Sequence, residues 1–210
     1  MLSSLLLSLS LLLSYRMPNL SQYSKLNSDL ILIQRINSDT GIVVLNRLDD
    51  YEKHLTRAGK TKLQNDIIQT MISREIECDF ELTKDDIGAP ILVSSKFSEV
   101  SISHSNGYFA VFLSREIPVG IDVEICREIP PSGTSYFLNS SEEKPWTNNE
   151  LSAIWGAKES YFKKMKGDVK DLRKEASILS ISDTKVRLLC REKQHVFNLD
   201  QTDKYTLVYG

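Results

Sequence analysis

Little in this sequence speaks for a scaffold held by covalent or metal staples. The 210 residues include three cysteines, Cys78, Cys126 and Cys190, far apart and odd in number. No two have metal-ligand spacing, so neither a disulfide framework nor a zinc module is indicated, and a reducing, cytoplasmic setting is the expectation. An excess of one charge is also lacking: 26 Lys+Arg stand against 28 Asp+Glu, a net charge of −2. That argues against a protein whose main work is coating nucleic acid. There is no glycine-rich phosphate loop of the Walker type, no internal repeat and no low-complexity linker. Long apolar runs are missing apart from the opening MLSSLLLSLSLLLSYR, residues 1–16. That run has about the length of a signal-peptide apolar region and is too short to span a bilayer as a helix. No Lys or Arg precedes it and no small-residue cleavage pattern follows it. The expectation is therefore that Met17 is the true start and that residues 1–16 stand outside the fold, with a divergent targeting segment as the other reading.

The rest is ordinary globular composition, 41% hydrophobic and 26% charged. The length allows one medium domain or two lobes of roughly 100 residues each. Leu30–Ile36 reads as a strand. The charged stretch Leu45–Leu55 predicts a short surface helix or loop. Leu63, Ile67, Ile68, Met71 and Ile72 recur at helical spacing within Lys60–Ile76. Gly88–Pro90 marks a break. Val100–Ser105, Gly107–Ser114 and Val119–Cys126 read as strands, with Asn106-Gly107 as a hairpin turn between the first two. A loop with a short helix around Tyr136–Leu138 is expected next. Thr147 with Glu150 predicts a capping box opening a helix that runs to about Met165 and ends at Gly167. Strand-like stretches follow at Ala176–Ser182, Lys185–Cys190, His195–Leu199 and Tyr205–Tyr209. This irregular alternation, without a long parallel βαβ series, predicts an α+β fold.

Three short motifs carry chemistry. In Gly120-Ile121-Asp122-Val123-Glu124, alternation on a strand turns Asp122 and Glu124 to one face and Ile121 and Val123 into the core. Two carboxylates side by side repel unless something positive sits between them, and carboxylate oxygens suit a hard ion such as Mg²⁺. A solvated strand face would carry the same pattern. In Trp155-Gly156-Ala157-Lys158-Glu159-Ser160-Tyr161-Phe162-Lys163, helical spacing brings Trp155, Glu159 and Lys163 to one broad face. A plain surface ion pair is one reading; a third metal carboxylate with a phosphate-facing lysine is the other. In Ser101-Ile102-Ser103-His104-Ser105, the serines flank His104 on the opposite strand face, and the histidine is suited to a phosphate or a nucleotide edge.

Taken in order, Ser-His-Ser, Gly-Ile-Asp-Val-Glu and Trp-Gly-Ala-Lys-Glu-Ser-Tyr-Phe-Lys resemble the 4′-phosphopantetheinyl transferases, in particular their larger, surfactin-synthetase-activating type. Gly88-Ala89-Pro90 looks like that family's Gly-Lys-Pro turn. The likeness covers about residues 86–166.

The resemblance implies transfer of the phosphopantetheine arm of coenzyme A to a serine of an acyl or peptidyl carrier protein, with release of adenosine 3′,5′-bisphosphate. By matched position, Asp122, Glu124 and Glu159 would hold Mg²⁺. Ser103 and His104 would contact the 3′-phosphoadenosine end, Lys163 would face the pyrophosphate, and Glu159 would be the base for the carrier serine. Lys158 would belong to the coenzyme site with a less defined role. The implied fold is two similar lobes related by a pseudo-twofold, each a small antiparallel sheet packed with a helix, here residues 17–116 and 117–210. The expectation that goes with the two-lobed class is a monomer, with neither nucleic acid nor membrane as a partner. Because carrier proteins are acidic around their serine, Lys163, Lys164, Lys166, Lys170, Arg173 and Lys174 are docking candidates. The sequence departs from the family at Ala89, where a lysine is frequent, at Ser101, where Asn is frequent, and at Asp66, on a helix usually richer in arginine. The changes at Ala89 and Asp66 remove positive charge that the resemblance places near a phosphate. A degenerate, non-catalytic homologue that binds a carrier protein is the rival reading.

Overall fold

Two strands with apolar residues on both faces set the architecture. β2 (Gly41–Leu48, GIVVLNRL) and β6 (Tyr108–Ser114, YFAVFLS) are buried along nearly their whole length. A strand covered on both faces must lie inside a stack of layers. The computed structural model, which describes residues 29–38, 40–49, 56–142 and 144–210, contains that stack. β1 (Leu30–Asn37), β2, β6 and β5 (Glu99–Ser105) form an antiparallel sheet in the order β1-β2-β6-β5. One of its faces, with Ile42, Val44, Val100, Phe109, Val111 and Leu113, packs on Ile67, Ile68, Met71 and Ile72 of α1 (Arg57–Ile76). The other face, with Val43, Leu45, Ala110 and Phe112, packs on Ile121, Val123 and Leu207 of a second sheet.

That second sheet is also antiparallel. Its strands are β7 (Ile121–Ile125), β8 (Ala176–Ile181), β9 (Lys185–Cys190), β10 (Lys193–Gln201) and β11 (Tyr205–Tyr209), in the order β7-β11-β10-β9-β8. Its far face receives α3 (Asn148–Lys164), whose Ala153, Ala157 and Tyr161 pack against Val186, Leu188, Phe197 and Val208. The layers thus run helix, sheet, sheet, helix. The strands of the first sheet all precede residue 115 and those of the second all follow residue 120. A two-stranded hairpin of β3 (Phe80–Lys84) and β4 (Pro90–Ser94) turns at Gly88, whose φ is +86°. The α+β expectation holds, with antiparallel sheets and few helices.

Local signals explain most element ends. Thr147 Oγ1 accepts from the Glu150 amide (3.2 Å) and Glu150 Oε2 accepts from the Thr147 amide (2.8 Å), which closes the expected capping box. α3 ends as Lys166 and Gly167 turn to positive φ, 49° and 78°. Asn106 and Gly107, at φ 40° and 86°, make the tight turn from β5 to β6. Two expectations are corrected. The stretch from Leu45 to Leu48 belongs to β2, because the unbroken apolar run Ile42–Leu45, buried on both faces, outweighs the charges that follow; residues 50–55 lie outside the described residues. The short helix expected at 136–138 is found instead at α2 (Pro131–Thr134), where Pro131 suits the first helical position, with a 3₁₀ turn at Ser140–Glu142. The hairpin β3–β4 and the single turn α4 (Leu172–Glu175) were not anticipated. The status of residues 1–16 likewise lies outside the described residues. Among the described residues no helix is long and apolar enough to cross a membrane.

Gly120 fixes how closely α3 sits on β7. Its amide and carbonyl pair with Gly210 at 2.9 and 3.0 Å, and a Cβ there would stand 1.8 Å from the Ser160 carbonyl oxygen. Backbone cannot yield as a side-chain tip can. Gly120→Ala is therefore expected to cost at least the upper end of the about 1–3 kcal/mol typical of overpacking. Urea unfolding checks this as a lower midpoint at unchanged slope.

Candidate functional site

Strand alternation sends Ile121 and Val123 of β7 into the core between the sheets and leaves Asp122 and Glu124 on the side of α3. From α3, Trp155, Glu159 and Lys163 reach the same side. Together with Ile102, Ser103 and His104 of β5 they line one cleft of about 320 Å³. The structure thus brings together six of the seven predicted site residues. α3 comes close enough because Gly156 faces β11: a Cβ there would meet Val208 Cγ2 at 2.8 Å and lie 3.8 Å from Asp122 Oδ2.

Asp122 is 4% exposed. Its Oδ1 accepts from Lys163 Nζ at 2.7 Å and from Ser103 Oγ at 2.8 Å, and Lys163 Nζ also donates to the Ile121 carbonyl at 3.0 Å. Asp122 Oδ2 is buried without a hydrogen-bond partner. Glu124 Oε1 accepts from the Trp155 indole Nε1 at 3.1 Å, and its Oε2 accepts from Ser105 Oγ at 3.2 Å. Arg127 stands 3.8 Å from Glu124 Oε2. Burial raises the pKa of all three carboxylates. At Asp122 the Lys163 ammonium and the Ser103 hydroxyl oppose the rise. At Glu124 the Asp122 charge adds to it, and at Glu159 the charges of Asp122 and Glu124 do so. His104, packed 6.0 Å from the Phe109 ring centroid, is held below the ordinary histidine range by burial and then by Lys163. An imidazole in its neutral form meets a ligand through a single N–H donor.

The cleft holds carboxylates that crowd one another and one lysine to offset them. Among the described residues no three His, Cys, Asp or Glu side chains already stand as a ready ligand set for one ion. By chemistry the residues nonetheless fit a hard divalent cation: the donors are carboxylate oxygens, one of them buried and unpartnered, and their mutual repulsion is what a cation relieves.

The raised carboxylates make a stability prediction. A carboxyl group whose folded pKa lies above its unfolded value disfavours folding once ionised. The penalty is fully present above the folded value and is relieved as pH falls through it. Metal-free protein should therefore gain thermal stability as pH drops from neutral through the raised range of Glu159, towards the ordinary carboxylate value. Glu159→Gln should raise the melting temperature at pH 7 and flatten that part of the profile, as scanning calorimetry at stepped pH will show.

The structure does not bring Lys158 to the cleft, which corrects its placement in the coenzyme site. Its side chain is fully buried on the other side of α3, and Nζ donates to Glu142 Oε2 and to the Phe137 carbonyl, each at 2.6 Å. Its neighbour in sequence, Glu159, faces the cleft because one helical step rotates the side chain by about 100°. Ser103 lines the cleft, but its hydroxyl is already engaged by Asp122. Much of the charge of the docking candidates is likewise met within the chain. Lys166 pairs with Glu99 at 3.0 Å, Lys174 with Asp171 at 3.1 Å, Arg173 donates to the Ser135 carbonyl, and Lys164 lies 5.9 Å over the Phe197 ring. Ala89 and Asp66 do not line the cleft. The orienting groups Ser105 and Trp155 were not foreseen as such, although both stand inside the motifs.

No protein-family model matches the chain, and no curated protein matches it significantly.

Proposed function

We propose that this chain transfers the 4′-phosphopantetheine arm of coenzyme A to a serine hydroxyl of an acyl or peptidyl carrier protein, with Mg²⁺, releasing adenosine 3′,5′-bisphosphate. The observation that carries the reading is the convergence of Asp122, Glu124, Glu159 and Lys163, from two elements far apart in sequence, on one cleft beside His104. Two lobes, residues 17–116 and 117–210, related by a pseudo-twofold, and a cytoplasmic monomer belong to the same reading; what supports the two lobes is that each sheet draws its strands from one half of the chain and packs on its own helix.

Asp122, Glu124 and Glu159 would hold the ion, which when bound supplies Lewis-acid neutralisation of pyrophosphate charge. Lys163 adds a positive charge at the same oxygens and keeps its position through the Ile121 carbonyl. Glu159, made more basic by burial and by its acidic neighbours, takes the proton of the carrier serine. The serine oxygen bonds to the phosphorus on the pantetheine side. The bond from that phosphorus to the bridging oxygen breaks, and its electron pair leaves on adenosine 3′,5′-bisphosphate. His104 offers its N–H to the 3′-phosphoadenosine end. The nucleophile comes from the partner, so no serine or cysteine of this chain has to react.

Chromatographic detection of adenosine 3′,5′-bisphosphate tests the reading. Release is expected with an apo carrier protein and absent when the carrier's serine is replaced by alanine. Release independent of that serine means hydrolysis, not transfer. His104→Ala is expected to raise the KM for coenzyme A about tenfold or more, since a hydrogen bond to a charged group is lost, with the KM for the carrier unchanged. Initial-rate kinetics with each substrate varied separate the two.

A further inference from the structure

The two sheets are joined by an unusual seam. β5 ends the first sheet and β7 ends the second. Each is an edge strand, and an edge presents backbone N–H groups that need acceptors. Among the described residues no backbone ladder joins them. Instead, Ile121 N donates to Ser101 Oγ (3.1 Å), Val123 N to Ser103 Oγ (3.3 Å) and Ile125 N to Ser105 Oγ (3.4 Å). The offset is 20 residues at every rung, so the strands run in the same direction and in step. Alternation makes this possible: every second side chain of β5 meets every second amide of β7. Serine, the smallest hydroxyl, lets the backbones approach.

A serine hydroxyl that accepts from an amide still has one proton to give. Ser103 gives it to Asp122 Oδ1 at 2.8 Å and Ser105 gives it to Glu124 Oε2 at 3.2 Å. Each hydroxyl is thus fixed twice, by the strand behind it and the carboxylate in front. With Trp155 on Oε1, both oxygens of Glu124 are held. Ser101 makes its rung with Ile121 without such a carboxylate. We propose that Ser103 and Ser105 are positioning residues: they set the carboxylates of Asp122 and Glu124 in the cleft and tie that setting to the junction of the two sheets. Their effect on turnover rests on the transferase reading; the seam itself does not.

Nuclear magnetic resonance on Ser101→Ala, Ser103→Ala, Ser105→Ala and Ser105→Thr tests this without substrate or metal. Amide exchange should accelerate about tenfold or more at the matching rung, Ile121, Val123 or Ile125 in turn, with the remaining β7 amides unchanged. The Trp155 indole N–H resonance should move in Ser105→Ala, return towards wild type in Ser105→Thr, and stay put in Ser101→Ala. If transfer is detected, Ser105→Ala should lower kcat more than it alters KM for coenzyme A, while Ser101→Ala leaves both near wild type. Uniform exchange across β7 in all variants, or an unmoved Trp155 resonance in Ser105→Ala, overturns the proposal. Absence of transfer in wild type with the rung-by-rung exchange intact overturns the transferase reading and leaves the seam standing.

Discussion

Asp122→Asn is expected to cut phosphopantetheine transfer by about 10²–10³-fold, the usual cost of removing one preorganised electrostatic group from a reacting centre. Asparagine keeps the shape, and its amide oxygen still accepts from Ser103. It removes the charge that Lys163 faces at 2.7 Å and that would bind a cation. The fold should survive. The Lys163 side chain is 26% exposed and retains the Ile121 carbonyl, so its ammonium is not stranded, and burial already disfavours the ionised form of Asp122. Circular dichroism and thermal melts will show a folded protein. Rates from intact-carrier mass spectrometry will show the loss. Wild-type turnover by folded Asp122→Asn removes this residue from the chemistry.

Lys158→Met is expected to lower stability by about 3–5 kcal/mol, the cost of leaving one partner of a buried ion pair alone. The Lys158 and Glu142 side chains are 0% and 3% exposed and meet at 2.6 Å. Glu142 also accepts from the Asn139 amide at 2.9 Å and the Ile178 amide at 2.6 Å, so the pair pins the loop before α3 to β8. Methionine fills most of the volume but leaves the carboxylate with two amides and no counter-charge. A fall in melting temperature on the order of 10 °C is the readout for a chain of this size. Adding Glu142→Gln should recover part of it, which a double-mutant cycle measures. The same experiment decides between a structural and a coenzyme-binding lysine. A coenzyme contact would raise the KM for coenzyme A and leave the melting temperature alone.

Features that depend on near neighbours in sequence were legible without coordinates. The Thr147–Glu150 box, the Asn106-Gly107 turn and the strands at Lys185–Cys190 and Tyr205–Tyr209 are local patterns, and each is found where expected. The shared face of Asp122 and Glu124 follows from strand alternation alone. What escaped depends on pairs distant in sequence. Lys163 meets Asp122 across 41 positions, and Ser103 meets the same carboxylate across 19. Lys158 sits within a site-like motif, yet the partner that draws it inward is Glu142, a loop residue with no periodic signal to mark it as buried. β2 was misread for a related reason: the acidic residues after it suggested surface, and its burial depends on two layers contributed by other parts of the chain.

Group transfer at the cleft of Asp122, Glu124, Glu159 and Lys163 is expected to depend on a divalent metal. Its most direct test is intact-protein mass spectrometry of an apo acyl carrier protein incubated with this protein, coenzyme A and Mg²⁺, with and without chelator. A mass gain of one phosphopantetheine arm on the carrier is expected, lost when the metal is removed. No gain on fatty-acid, polyketide or peptide-synthetase carriers, with the protein folded and Mg²⁺ present, contradicts the transferase reading.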